Sequence, residues 1–174
     1  MVKPIRIGIS ACLLGNYVRY DGNHSHDPLL LQTLGPFVDY VAVCPEVECG
    51  MTTPREPIIL MGDPENPRLV TRDTGVDRTD QMVDWAQNRS KALEQENLCG
   101  FIFKNKSPSC GLFRVKVFDA EGGVTPTGRG LFARAFTRRF PTIPVEESQR
   151  LQDPELMADF IESLLSFQER HPCH

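Results

Sequence analysis

Residues 5–15 read IRIGISACLLG, and this stretch indicates the architecture that we expect for the rest of the chain. Its first part is almost continuously apolar, which is typical of a strand that is buried on both faces of a parallel sheet. The strand runs directly into a loop that contains Cys12 and ends at Gly15. The stretch therefore predicts a parallel sheet with a chemically reactive side chain just past the end of one strand.

Two further segments repeat this arrangement. An apolar run at 37–43 is followed by Cys44, and an apolar run at 101–104 is followed by the loop SPSCG at 107–111, which contains Cys110. In open parallel sheets, ligands bind beyond the carboxyl ends of the strands. We therefore expect the three cysteines to meet at one edge of the sheet. Three thiolates can hold a metal centre there and leave one position open for a substrate.

Helical patterns alternate with these strands. Apolar residues recur at helical spacing in 79–96, in 130–140 and after Asp153, and Asp27 is a good N-cap for a short helix that Gly35 ends. This alternation predicts an α/β fold with a mainly parallel, Rossmann-like central sheet between two layers of helices. Shorter strand-like pieces occur at 58–61, 68–71, 115–118 and 143–145, and the third of these reads as an excursion or hairpin. We find no linker, so residues 1–174 are predicted to form a single domain.

The composition narrows the class of protein. The 174 residues are 40% hydrophobic and 24% charged, with a net charge of −4, which is typical of a soluble globular protein and argues against general nucleic-acid binding. No apolar run approaches the roughly 20 residues of a membrane helix, and no signal peptide is recognisable. We therefore expect a cytoplasmic location, where thiols stay reduced and six cysteines suggest metal binding or catalysis rather than disulfides.

The cysteine pattern leaves the metal open at this point. Zinc and iron–sulfur centres both use thiolates, but Cys44 and Cys49 are five residues apart, which is a poor match to the paired cysteines of compact zinc sites. Cys49 itself has three readings: a fourth ligand, a thiol that handles substrate, or a packed side chain. Cys99 is expected to be a small buried residue, and Cys173 an incidental residue of the tail.

The loops together resemble a known family. The matching motifs are SACLLG at 10–15 with VRYDG at 18–22, CPEV at 44–47 with TPR at 53–55, and SPSCG at 107–111. In this order they resemble the bacterial thiouracil desulfurases, formerly a family of unknown function, over roughly residues 5–145. The stretches at 55–58 and 62–70 look closer still to the branch that is often fused to a second uncharacterised domain. Many members have a Gly-Gly pair where this chain has Glu-Cys-Gly at 48–50, a difference that we expect to alter the pocket wall.

The resemblance implies a cofactor and a reaction. It implies a [4Fe–4S] cluster held by Cys12, Cys44 and Cys110, with the fourth iron open to sulfur of a small thiolated substrate. It also implies that Glu46 and Ser107 are catalytic. Glu46 would activate a water as general base, and Ser107 would hydrogen-bond the substrate or relay a proton. The products would be the carbonyl compound and sulfide, without any external electrons.

Neighbouring polar residues have plainer interpretations. Ser109 is expected to shape its loop, and Arg55 either faces the charge of the cluster or pairs with Glu56. Glu48 is a second candidate acid, ranked below Glu46. His24 and His26 are expected to be polar surface residues. The Gly-Arg-Gly stretch at 128–130 is expected to be the plain entry to a helix.

Two other functions remain compatible with the same cysteines. The first is a non-catalytic iron–sulfur or redox-sensing module that acts with a partner protein. The second is a zinc hydrolase or a cysteine-nucleophile enzyme, which is the weakest because a nucleophile needs a partner base and all four histidines lie outside the cysteine loops. A homodimer or a separate partner domain is compatible with each of these readings.

Overall fold

The computed structural model describes residues 3–172, which form two sheets and two layers of helices. The strands are β1 (Ile5–Ser10), β2 (Val38–Val43), β3 (Ile58–Asp63), β4 (Asn66–Thr71), β5 (Gly100–Phe103), β6 (Val115–Phe118), β7 (Val124–Gly128) and β8 (Val145–Glu147). The helices are α1 (Pro28–Leu34), α2 (Pro45–Glu48), α3 (Thr79–Leu93), α4 (Leu131–Arg139) and α5 (Pro154–Arg170). Within residues 3–172, no helix has the length and apolar character needed to cross a membrane.

The first sheet is parallel throughout, in the order β2-β1-β5-β8. Ile7, Ile9 and Ile102 project from one face and are buried against α1 and α5. Phe101 and Phe103 project from the other face and are buried against α3 and α4. The predicted parallel sheet between two helical layers is therefore confirmed.

The aromatic side of this sheet is tightly packed. The rings of Phe101 and Phe103 stack with their centroids 4.2 Å apart, and Phe132 and Phe136 of α4 close over them. A Cβ on Gly8 would lie 2.2 Å from the Phe101 ring, so only glycine lets that ring lie against β1. Each fully buried aromatic side chain contributes about 1.5–3 kcal/mol to stability.

A second sheet, which the sequence did not predict as a separate sheet, packs on the far side of α3 and α4. Its strand order is β4-β3-β6-β7, with two antiparallel hairpins joined by the parallel β3–β6 pair. Leu60, Leu69 and Val117 of this sheet are buried with Met82 and Leu131 of the two helices. The short strands were predicted nearly in place, but the expectation of a single central sheet is incomplete. The second sheet depends on the pairing of β3 with β6, which lie far apart in the chain.

Candidate active site

The three cysteines of the predicted site line one cavity at the carboxyl ends of β1, β2 and β5. Cys12 lies in a 3₁₀ turn that follows β1, Cys44 directly follows β2 and precedes α2, and Cys110 lies in the loop after β5. These three strands are neighbours in the parallel sheet, so their ends open on the same edge. The cavity has a volume of about 290 Å³, and Glu46, Ser107 and the three cysteines all contribute to its wall.

Burial keeps the three thiols protonated in the protein alone. Desolvation raises the pKa of Cys44 to about 11, and it also raises the pKa of Cys12 and of Cys110, which is buried. The thiols are close enough that a negative charge on Cys12 or Cys44 would raise the pKa of Cys110 further. Thiols with a raised pKa are poor free nucleophiles, and a bound metal centre would convert them to thiolates.

The donor set suits a soft metal centre. The cavity wall carries three sulfur donors and none of the described histidines, and thiolates are the preferred ligands of iron–sulfur clusters. Among residues 3–172, no three His, Cys, Asp or Glu side chains are close enough together to hold a single metal ion. The thiols are therefore spread around a cavity wall rather than around one point. The residues present fit a cluster bound by three thiolates.

Glu46 is held from two sides. Its Oε2 accepts hydrogen bonds from Nε of Arg55 at 3.0 Å and from Nη2 of the same side chain. Its Oε1 accepts a hydrogen bond from Oγ of Ser109 at 3.2 Å. Of the two expectations for Arg55, the pairing with Glu56 is wrong, because Glu56 instead accepts hydrogen bonds from the backbone N–H groups of Asp73 and Thr74.

The two serines of the SPSCG loop have different contacts. Oγ of Ser107 accepts hydrogen bonds from the backbone N–H groups of Cys110 at 3.0 Å and Ser109 at 3.2 Å, so Ser107 shapes the loop. Ser109, which was expected to shape the loop, is the serine that contacts Glu46, and its Oγ lies 3.0 Å from Oγ of Ser107. An ionised carboxylate can only accept, so Ser109 donates to Glu46 and Ser107 donates to Ser109. The three groups form one hydrogen-bonded chain with a fixed direction.

The first turn of α4 anchors the SPSCG loop. The N–H of Leu131 donates to the carbonyl of Pro108, and the N–H groups of Phe132 and Ala133 donate to the carbonyl of Ser109. These contacts satisfy backbone donors that a helix start otherwise leaves without partners. A Cβ on Gly130 would lie 2.4 Å from the carbonyl carbon of Ser109, so the loop and the helix start touch directly. The predicted helix entry is confirmed, and its role in holding the cysteine loop is new.

Glu48 and Cys49 face away from the cavity and are not part of its wall. Oε2 of Glu48 accepts from the backbone N–H of Cys44 at 2.7 Å, and its Oε1 accepts from Nε of Arg89 at 2.9 Å. Glu48 therefore fixes the backbone of Cys44. The thiol of Cys49 donates to the carbonyl of Glu46 at 3.3 Å, and its side chain packs against the apolar cluster below the second sheet. The structure favours the reading of Cys49 as a packed side chain.

Lys104 is a cavity residue that the sequence analysis missed. Its Nζ donates to Oδ1 of Asn105 at 2.9 Å, and both residues line the cavity. Burial lowers the pKa of Lys104, and the positive charge of Lys104 partly offsets the rise that desolvation causes in the pKa of Cys12. The sequence feature that could have identified Lys104 is its position directly after a buried strand, at the same edge of the sheet as the cysteines. Lys104 therefore supplies positive charge beside one of the three thiols.

The remaining candidates lie elsewhere. His24 stacks edge-on against Tyr17, with ring centroids 5.1 Å apart, and neither His24 nor His26 lines the cavity. Cys99 is buried in the core between the parallel sheet and α5, as expected. Cys173 lies outside the described residues.

Comparison with known proteins gives consistent matches. A family model described as 2-thiouracil desulfurase matches residues 7–148. The chain is 31% identical over 111 residues to the uncharacterized protein YbbK of Bacillus subtilis (strain 168), an alignment that covers 59% of this chain and 71% of YbbK. A solved structure of a [4Fe-4S]-dependent thiouracil desulfidase, TudS, superposes with a TM-score of 0.69 at 32% identity, covering 89% of this chain and 97% of TudS.

Proposed function

Because this chain belongs to the 2-thiouracil desulfurase family, we propose that it removes sulfur from a small thiolated nucleobase such as thiouracil. The thiocarbonyl compound and water give the carbonyl compound and hydrogen sulfide, so atoms balance and no electrons are needed from outside. The observation that carries the proposal is the convergence of three thiols, a carboxylate and a serine pair on one cavity of about 290 Å³.

The three cavity cysteines would hold the cofactor. Cys12, Cys44 and Cys110 would supply the thiolates for a [4Fe–4S] cluster, the group on which the similar protein TudS depends. When bound, such a cluster supplies a soft Lewis acid for the sulfur of the substrate. The desolvation of these thiols supports this role, because a bound metal centre would supply the positive charge that stabilises all three thiolates together.

Glu46 would act as the general base. Its Oε1 faces Ser109 within the cavity, where it can take a proton from the water that attacks the thiocarbonyl carbon. Ser107 would contact the substrate or relay a proton, and its link to Glu46 through Ser109 gives a path for that proton. A carboxylate that activates water beside a hydroxyl chain is not needed in a purely sensing module, which is why the non-catalytic alternative is not favoured.

The dimensions of the cavity limit the substrate. Cavities for small molecules are usually about 300–1,000 Å³, and this one, at about 290 Å³, lies just below that range. A single base ring is therefore a better candidate than a large nucleic acid, in keeping with the net charge of −4. We also propose a cytoplasmic setting, because reduced thiols are needed to hold the cluster. A homodimer or a separate partner protein remains a proposal that this cavity does not require.

Anaerobic reconstitution with iron and sulfide tests the proposal. We expect a brown protein that releases sulfide and uracil from thiouracil, and that loses its cluster absorbance when any one of the three cavity cysteines is replaced by alanine. Cys49→Ala is the matched control and should keep both cluster and turnover. Glu46→Gln should keep the cluster and lose roughly 10²- to 10⁴-fold in kcat. A cluster-loaded protein that releases no sulfide from thiouracil or other thiolated pyrimidines would contradict the proposed function.

A further inference from the structure

Arg55 uses every N–H group of its guanidinium within the protein. A guanidinium has five N–H donors in a fixed fork. In this chain, Nε donates to Oε2 of Glu46, and Nη2 donates to the same oxygen and to the carbonyl of Val18 at 2.7 Å. Nη1 donates to the carbonyl of Thr52 at 3.1 Å and to Oγ1 of Thr53 at 3.0 Å. All five donors are thereby occupied, and none is left to bind a substrate.

The two carboxylate oxygens of Glu46 have different hydrogen-bond partners. Oε2 accepts both hydrogen bonds from Arg55, whereas Oε1 accepts a hydrogen bond from Oγ of Ser109. The side chains of Arg55 and Glu46 are only 6% and 15% exposed, so water weakens their attraction little. Lysine, with three donors and no fork, could not reproduce these five contacts.

We propose that Arg55 is the positioning residue of the active site, which locks Oε2 of Glu46 and so makes Oε1 the oxygen that works on the substrate. This inference rests on the proposed function, in which Glu46 is the base. It assigns Arg55 a role through Glu46 and excludes direct binding of the thiolated substrate by Arg55.

A competing role for Arg55 is purely structural. Its Nη2 holds the carbonyl of Val18, and its backbone N–H donates to the carbonyl of Tyr20 at 2.7 Å, so Arg55 also ties the 16–26 loop to the segment at 52–55. Loss of this tie could reduce turnover by loosening the loop. The experiment therefore has to separate an effect on Glu46 from an effect on the loop.

Arg55→Lys and Arg55→Ala make this separation when compared with a matched control. Misplacing a catalytic group by about 1 Å can cost on the order of 100-fold in rate, so we expect kcat to fall about 100-fold while KM and the absorbance of the cluster change little. Guanidinium ion, at concentrations that leave the melting temperature unchanged, should restore part of the kcat of Arg55→Ala, and ammonium ion should not. Arg68→Lys is the control for the geometry of the fork, because Arg68 also binds one carboxylate oxygen, Oδ2 of Asp77, through Nε and Nη2, at an exposed position away from the cavity.

A cycle with Glu46→Gln decides whether Arg55 acts through Glu46. If it does, adding Arg55→Lys to Glu46→Gln should cost less than about threefold in kcat, since the group it positions is already disabled. In the cluster-free protein, Arg55→Lys should lower the melting temperature less when Glu46 is already replaced. This second readout tests the pairing even if wild-type protein shows no desulfurisation, in which case the proposed function fails separately. The full 100-fold loss in the Glu46→Gln background, a loss that appears in KM alone, or equal drops in melting temperature in both backgrounds would overturn the proposal.

Discussion

Gly130→Ala adds a single methyl group where α4 meets the cysteine loop. Its carbon would lie 2.4 Å from the carbonyl carbon of Ser109, 2.5 Å from the oxygen and 2.7 Å from the backbone nitrogen of Cys110. All three contacts are to backbone, which has no rotamer to change, so relief requires the loop or the helix to move by about 1 Å. Overpacking of this kind typically costs about 1–3 kcal/mol, or roughly 2–12 °C in melting temperature for a chain of this size.

The same movement should disturb the site more than the fold. Cys110 and Ser109 both belong to the displaced backbone, so we expect lower iron content after reconstitution and a loss of about 100-fold in kcat for the protein that retains its cluster. The measurements are thermal unfolding, iron and sulfide content, and release of sulfide from thiouracil. Gly122→Ala is the control, because Gly122 has a φ of 84° and no atoms near its Cβ position, so it should lower stability and leave the site intact. Equal turnover by the two variants would refute the reasoning.

Three other outcomes are expected. Burial raises the pKa of Glu147, so the ionised form of this side chain is disfavoured in the folded protein. The stability of the protein should therefore fall as the pH rises from about 4.5 through the pKa of Glu147 in the folded state, and Glu147→Gln should remove that fall when melting temperatures are measured against pH. The same dependence on pH in the variant and the wild type would contradict this expectation. Phe132→Ala should cost about 3–5 kcal/mol in chemical unfolding, because its ring packs against the rings of Phe101 and Phe103; a cost below about 1 kcal/mol would contradict this packing. Cys49→Ala should leave the iron content unchanged, and a loss of iron would restore its candidacy as a ligand.

The parallel sheet could be predicted because its strands carry their own signal. The run at 5–10 carries an isoleucine at every second position, and the run at 100–103 is apolar on both faces. Each is followed by a loop with a cysteine, so both the sheet and the edge that bears the cavity follow from local pattern. The second sheet could not be predicted in the same way. Its central pairing joins β3 to β6, and the register of Leu60 with Val117 leaves no trace in either segment alone. Pairing at such separation depends on the whole chain.

The cavity residues likewise include some that can be identified from the sequence and others that can be identified only from the fold. Cysteines and Glu46 stand out by residue type and by position after a strand, so sequence alone could nominate them. The contacts of Arg55 and Ser109 with Glu46 could not be predicted, because they depend on which atoms the fold brings together. Two serines that differ by two positions in one loop have the same chemistry, and only the fold decides that Ser109 contacts Glu46 while Ser107 accepts backbone N–H groups.

The single turn of α2 explains why Glu48 cannot replace Glu46. Residues two apart on a helix point in nearly opposite directions, since each position rotates by about 100°. Glu46 consequently faces the cavity, whereas Glu48 turns back to the N–H of Cys44 and to Arg89 on α3. Both oxygens of Glu48 are engaged, and releasing them would free the backbone that carries Cys44. The two glutamates of this one helix therefore have different surroundings: Glu48 holds the backbone of Cys44, and Glu46 lies in the cavity wall, where the proposed general base has to be.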